Sequence, residues 1–329
     1  MLKYGMNSRK ILLFTLFDTS YFVKGIAMMQ SAEKHSSYEI RWTVLAMDEV
    51  TKQLLLQLNK KNLKVVTPVD IGPDFIDLKN SRTHKEFCWS GAAFLFDHLV
   101  KREPESSLMA YIDADCYFFD DIGKCFDELG NFFAIGIHKH NFSNKNLYLE
   151  SIVGKFNVGV VIGRNSKDLS QCIGRWKEQV SFECTDKPSE GFYGDQKYLD
   201  EWPLLYNRLK IFENTGIGIA PWNLDNKLID FSYQALKFKN NLVVYHFHGI
   251  SIMKKTKSTL HIRGAKGYKI PFKIKKYLYE PYIKHILNIE ENYFKELSRE
   301  NYYTMGEKEF IKSLFPFVFK FKTYRYFIY

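Results

Sequence analysis

Two carboxylates two residues apart, Asp113 and Asp115, follow directly on the apolar run Leu108-Met109-Ala110-Tyr111-Ile112. On a loop leaving a buried strand, such a pair forms a small, hard, anionic site. Its oxygens suit a divalent cation such as Mn2+ or Mg2+, which keeps coordination positions free for water or substrate phosphates. That chemistry points to a nucleoside diphosphate. An acidic corner where a strand ends has the same appearance, so the remaining motifs must decide between the two.

Three further motifs bear on the pair. Phe156-Asn157-Val158-Gly159-Val160 sets an amide and a glycine at the start of a strand. Gly159 lets backbone approach a ligand and Asn157 can bond a sugar hydroxyl, although a bulge is the simpler explanation. In Gly191-Phe192-Tyr193-Gly194-Asp195-Gln196, Asp195 is placed to cap a helix, and adjacent Asp and Gln at a helix start can also hold a sugar and face its anomeric carbon. In Tyr245-His246-Phe247-His248-Gly249, strand alternation sends both imidazoles to one face. His246 is then a sound third ligand for Mn2+, while His248 either joins it or bonds only backbone.

For these residues to meet, the chain must bring four distant segments to one edge. Strand-like and helix-like segments alternate: Ile11 to Phe17, a helix from Phe22 to Lys34, a strand from Glu39 to Ala46, a helix from Glu49 to Asn59 capped by Asp48, a strand from Leu63 to Thr67, and a helix over 84 to 101. Leu108 to Ile112 then delivers the D-x-D pair. Phe132 to Ile137 and Asn157 to Ile162 read as strands, Ser166 to Val180 and Asp195 to Glu201 as helices, and Leu242 to Tyr245 as a last strand. Repeated βαβ units predict an α/β fold with a mostly parallel sheet covered on both sides, whose ligands bind beyond the carboxyl ends of the strands.

The charge is unevenly placed. Residues 1 to 253 contain 30 Lys+Arg and 30 Asp+Glu; residues 254 to 329 contain 17 and 7, an excess equal to the whole net charge of +10. A neutral body with a basic, aromatic C-terminal region does not resemble a nucleic-acid binder, whose positive charge lines its groove. No apolar run approaches the roughly 18 residues of a membrane span. The run from Ile11 follows Arg9 and Lys10 as in a signal peptide but lacks a small-residue cleavage site. Five cysteines without C-x-x-C spacing argue against a disulfide framework, and a cytoplasmic setting is expected. After residue 254 we expect a Lys-rich loop, then an amphipathic helix from Pro281 to Glu300 with Ile283, Ile286, Leu287, Phe294 and Leu297 on one side.

In order and content, Asp-x-Asp, Asn-x-Gly, Gly-Asp-Gln and His-Phe-x-Gly resemble the metal-dependent glycosyltransferases of the GT-A fold. The likeness is strongest to the family-eight bacterial lipopolysaccharide glucosyl- and galactosyltransferases related to glycogenin, and it covers about residues 10 to 255. It implies a Rossmann-like mixed sheet flanked by helices over 1–253, with residues 254–329 as a basic, aromatic appendage. It also implies that Asp113, Asp115 and His246 hold Mn2+ (or Mg2+), and that Asp113, Asn157 and Gly159 contact the donor. Asp195 and Gln196 flank the reacting carbon of a retaining enzyme. Asp18 and Tyr21, in Phe17-Asp18-Thr19-Ser20-Tyr21, match the loop that cradles base and ribose, and Lys85 is taken with them as donor-binding.

The chain departs from that family where Ile250-Ser251-Ile252-Met253 separates Gly249 from Lys254 and Lys255; relatives carry Lys-Pro-Trp three residues after the glycine. Lys254 is the candidate diphosphate clamp. Expected partners are a nucleotide-sugar donor, probed first as UDP, and a glycan or lipid-linked acceptor. The alternating Phe and Lys of 315 to 322 either dock at the anionic inner face of a membrane or pack back on the body. Rival functions are a metal-dependent hydrolase built on His246 and His248, for which the remaining histidines supply no matching motif, and a non-catalytic nucleotide- or sugar-binding descendant of the same fold.

Overall fold

The computed structural model describes residues 9–188, 191–225, 228–230, 236–255, 259–264, 267–293, 317–321 and 324–328. Of residues 230, 251–255, 259–263, 293 and the two last strands it describes the backbone only.

The chain opens with strand β1 (Lys10–Phe17), seven of whose eight residues are buried, a 3-10 turn (Thr19–Tyr21) and helix α1 (Phe22–His35). Strand β2 (Glu39–Ala46), helix α2 (Glu49–Gln57) and strand β3 (Leu63–Val66) follow, then two short helices, α3 (Pro68–Ile71) and α4 (Pro73–Leu78). Helix α5 (His84–Val100) starts at a capping box in which Glu86 N donates to Thr83 Oγ1 and Thr83 N to Glu86 Oε2. It leads to β4 (Leu108–Ile112), the D-x-D corner and β5 (Cys116–Phe118). Helix α6 (Gly123–Leu129), β6 (Ile135–Lys139), α7 (Leu149–Val153), β7 (Phe156–Arg164) and α8 (Lys167–Phe182) complete the middle of the chain. After α9 (Trp202–Leu205) come β8 (Leu209–Ile211), β9 (Ile229–Asp230), β10 (Lys237–Phe238) and β11 (Val244–His246). The C-terminal part holds β12 (Ser251–Lys255), β13 (Thr259–Arg263), α10 (Phe272–Ile274), α11 (Glu280–Tyr293), β14 (Phe317–Phe321) and β15 (Tyr324–Ile328).

Seven strands form one mixed sheet in the order β3-β2-β1-β4-β7-β6-β8. The first four are parallel; β7 runs antiparallel to both β4 and β6, and β8 is parallel to β6. Burial on both faces explains why β1 is apolar from Ile11 to Phe17 apart from Thr15. Ile11, Leu13 and Phe17 pack into a layer with α1, α2 and α11, whereas Leu12, Phe14 and Leu16 pack into the layer of α5 and α8. Within α11, Tyr282, Ile283, Ile286, Leu287 and Ile289 are buried in the first of these layers.

Several local expectations shift. The strand expected from Phe132 begins only at Ile135, because pairing with β7 and β8 sets its start, and Phe132 stays 65% exposed. The helix expected from Asp195 is a 3-10 turn (Lys197–Glu201) running into α9, and Asp195 does not cap it. Pro203 cannot donate to the carbonyl four residues back, which prevents one continuous α-helix there. The expected Lys-rich loop contains β12 and β13, which pair antiparallel, and β15 adds to β13 in parallel. Phe294 and Leu297 lie outside the described residues.

Candidate active site

Sheet topology assembles the D-x-D corner. Asp113 and Asp115 leave β4 at its carboxyl end, and β11 pairs antiparallel with the next strand, β5, in the register His246↔Cys116. Phe247 N donates to Asp115 O at 2.8 Å, and Asp113 N donates to Gly159 O at 3.0 Å. These pairings bring His246 Nε2 to 2.9 Å from Asp115 Oδ1 and 3.8 Å from Asp113 Oδ2. His248 joins them, its ligand atom lying with those of Asp115 and His246 inside a 4.8 Å cluster. Trp222 stands edge-on to both imidazoles, 5.3 Å from His246 and 5.5 Å from His248 between centroids. Its indole is held by a 2.9 Å bond to His140 O.

Asn157 is the hub behind this cluster and is only 5% exposed. Its Oδ1 accepts from Gly159 N at 2.9 Å, and since a backbone N–H can only donate, the amide orientation is set. The same oxygen faces His246 Nδ1 at 3.3 Å, so Nδ1 carries the hydrogen and Nε2 is turned toward the carboxylates. Asn157 Nδ2 donates to Gln196 Oε1 at 3.2 Å and lies 3.3 Å from His140 Nε2. Gln196 Nε2 in turn donates to Val153 O at 3.0 Å. Burial pushes His140 down to about 3, keeping its ring neutral and able to accept. Gly159 serves a close approach: a Cβ there would stand 2.6 Å from Asn157 Oδ1 and 2.8 Å from His246 Nδ1. The atoms that approach it so closely are those of the Asn157 and His246 side chains.

Asp195 is buried, its carbonyl accepting from Trp176 Nε1 at 2.8 Å, and burial together with Asp113 pushes its carboxyl well above the usual range. Burial opposes ionisation of Asp115 too, but the charge and hydrogen bond of His246 outweigh it and hold that carboxyl below its usual range. His246 moves the opposite way: burial disfavours its cation, and Asp115 and Asp113 raise it nonetheless. Asp113 accepts from Tyr111 Oη at 2.9 Å and keeps 30% of its side chain open.

The amino-terminal lip is built from the turn after β1. Asp18 caps that turn, and Lys24, one turn into α1, places Nζ 3.9 Å over the Tyr21 ring and 2.9 Å from Ile250 O. Lys24 is 9% exposed; burial lowers its pKa, with Asp115 and Asp18 opposing. Nothing in the sequence reading singled it out. Its signal is a lone cation inside Phe22-Val23-Lys24-Gly25-Ile26-Ala27-Met28-Met29, all of which is buried. Lys85 is ion-paired with Asp186 at 3.3 Å and lies over Trp89 at 4.3 Å. The side chain of Lys254 lies outside the described residues.

The donor set of Asp115, His246 and His248, with Asp113 beside it, mixes carboxylate oxygen and imidazole nitrogen and fits a divalent cation of the Mn2+ type.

This sheet order, with ligand-type residues gathered beyond β4, is the GT-A glycosyltransferase fold. The galactosyltransferase LgtC, solved with donor and acceptor sugar analogues, superposes with a TM-score of 0.51 at 14% identity, over 84% of this chain and 96% of that one. The bifunctional glycosyltransferase WbbM gives 0.49 at 16% identity, over 87% of this chain, which spans about half (51%) of that protein. In sequence, the uncharacterised proteins YfnD and YfnF of Bacillus subtilis (strain 168) are each 25% identical, over 244 and 247 residues. Each match takes in 73% of this chain, and 78% and 81% of the respective relative. No family model matches the chain.

Proposed function

We propose that the protein is a metal-dependent glycosyltransferase that moves a hexosyl or N-acetylhexosaminyl group from a UDP-type donor to a surface glycan or lipid-linked acceptor. The observation that carries this reading is the convergence of Asp113, Asp115, His246 and His248 at the carboxyl end of β4 within a GT-A fold.

Asp113, Asp115 and His246, with His248 beside them, would hold the cation. When bound, a divalent metal neutralises the charge that develops on a departing diphosphate. Lys24, held by Ile250 O and the Tyr21 ring, would add a cationic side chain that interacts with Asp115, and Lys254 remains the candidate clamp on the strand that follows. Asp18 and Tyr21 bound the base and ribose, and Lys85 stands on α5 at the same lip. Asn157 orients His246 and Gln196 together, which couples the metal side of the cleft to the residue that flanks the reacting carbon. Asp195, a buried carboxyl whose pKa burial and Asp113 raise, would flank the reacting carbon together with Gln196. A retaining outcome follows from the family resemblance, in which a polar group occupies the position of Gln196.

The domain reading is a transferase body over 1–253. The basic region 254–329 attracts an anionic acceptor or membrane face, at roughly 1 kcal/mol per Lys or Arg near such a surface.

Calorimetry of UDP binding with and without Mn2+, on wild type and Asp115→Ala, tests the reading. Metal-dependent binding lost in the variant supports it, and donor hydrolysis or transfer then separates an enzyme from a binding protein. No UDP binding under any metal would overturn the donor assignment.

A further inference from the structure

A second group of metal-ligating side chains lies outside the D-x-D cluster. His84 and Cys88 stand four residues apart at the start of α5 and therefore share one helix face. Asp18 faces them from the turn after β1. Asp18 Oδ2 is 2.7 Å from His84 Nε2, Cys88 Sγ is 3.7 Å from the same nitrogen, and all three ligand atoms lie within 4.8 Å of one another.

We propose that Asp18, His84 and Cys88 form a binding site for a thiophilic divalent cation of the Zn2+ class, separate from the D-x-D cluster. Tetrahedral zinc bonds of about 2.0–2.3 Å hold ligand atoms about 3.3–3.6 Å apart. The His84–Cys88 separation of 3.7 Å lies just above this range and has only to close slightly, and the Asp18–His84 pair at 2.7 Å has to open as the cation replaces the hydrogen between them. Asp18 is aimed for this: its Oδ1 accepts from Ser20 Oγ at 2.6 Å and Tyr21 N at 3.2 Å, which leaves Oδ2 facing His84. Such outer bonds are what orient a carboxylate ligand. The capping box at Thr83 and Glu86 fixes the helix start that carries His84. Of the five cysteines, Cys88 alone is not buried.

The donor set is one sulfur, one nitrogen and one oxygen, with a fourth position open to water or a ligand group. A thiolate selects zinc-like metals over Mg2+ or Mn2+, whereas the D-x-D cluster offers carboxylates and imidazoles only. The thiolate thus selects against Mg2+ and Mn2+ here, whereas the imidazoles and carboxylates of the D-x-D cluster accept zinc-class ions as well as Mn2+, so a signal from bound sulfur tells the two sites apart. A cation here also engages Asp18 and so competes with a nucleotide at the lip; that consequence rests on the transferase reading, and the cation site does not.

Cobalt titration of the full-length protein is the test, because a thiolate bound to Co2+ gives an intense near-ultraviolet charge-transfer band that carboxylate and imidazole ligands do not. We expect a saturable band that Zn2+ displaces. It should be lost in Cys88→Ser, require at least tenfold more Co2+ in His84→Ala, and be retained in Asp115→Ala. Absence of the band at saturating Co2+, or its persistence in Cys88→Ser, would overturn the site. Retention in Asp115→Ala together with loss of metal-dependent UDP binding in that variant keeps the two conclusions distinguishable.

Discussion

His246 is held from both sides, by Asn157 at Nδ1 and by Asp115 at Nε2, and this pair of contacts decides what the ring can do. Replacing Asn157 by Ala removes the partner that orients the ring, and loss of such a partner commonly weakens metal affinity by about 10–100-fold. We expect that drop in Mn2+ affinity by calorimetry, with the far-ultraviolet spectrum unchanged. Gly159→Ala should produce a similar loss by a steric route, since the new methyl meets both Asn157 Oδ1 and His246 Nδ1. Proton competition provides a third expectation. The two aspartates raise the pKa of His246 against the cost of burial, and only the neutral ring can ligate. Mn2+ affinity should therefore climb as pH rises through neutrality and plateau once the ring is neutral; a flat profile from pH 6 to 8 would exclude His246 as a ligand. Of these residues, Asp113, Asp115, Asn157 and His246 are legible in sequence as motif members. Lys24 is not, because a lysine in an apolar helix carries no motif and acquires meaning only when Ile250 and Tyr21 are packed around it.

At the scale of elements, short local signals predict well where one residue's chemistry sets a boundary. Strands β2 and β4 begin and end where the sequence places them, and Asp48 caps α2 through Thr51 N at 2.7 Å. Asp48 also accepts from Thr19 N and Oγ1, tying α2 to the turn that carries Asp18. Asp48→Ala should cost about 1–2 kcal/mol in urea unfolding, the upper part of the range for lost caps. The acid limb gives the sign. Burial opposes ionisation of Asp48, the bonds from Thr51 and Thr19 prevail, and its folded pKa is depressed. The contribution is thus complete above the ordinary carboxylate value of about 4 and disappears as pH falls through the folded value. Wild type and Asp48→Ala should converge in stability at low pH. Where boundaries depend on a neighbour, as at β6 and along Asp195 to Leu205, sequence patterning misplaces them, because strand pairing and the backbone restriction at Pro203 outweigh periodicity.

At the scale of the molecule, the chain pairs a sheet buried on both faces with a charge excess confined to residues 254–329. Ile162, on β7, is fully buried, with Ala110 and Gly136 as its cross-strand neighbours. Ile162→Ala should destabilise by about 2–5 kcal/mol in denaturant unfolding. Among the described residues no helix is long and apolar enough to cross a membrane. Removal of residues 310 to 329 should lower sedimentation with anionic liposomes while leaving that with neutral liposomes unchanged; equal sedimentation of the full and shortened chains would remove the membrane role. The alternation of strand and helix patterns, the D-x-D corner and the His-x-His spacing are properties of adjacent residues, and the sequence alone determined them. Which carboxylate His246 faces, that His248 joins it, that Asn157 turns inward to orient the ring, and that Asp18 meets His84 and Cys88 were decided only by the tertiary structure. The Asp18–His84, Asn157–His246 and Asp115–His246 contacts join residues 66, 89 and 131 positions apart, and no local pattern specifies which distant strand pairs with which or in what register.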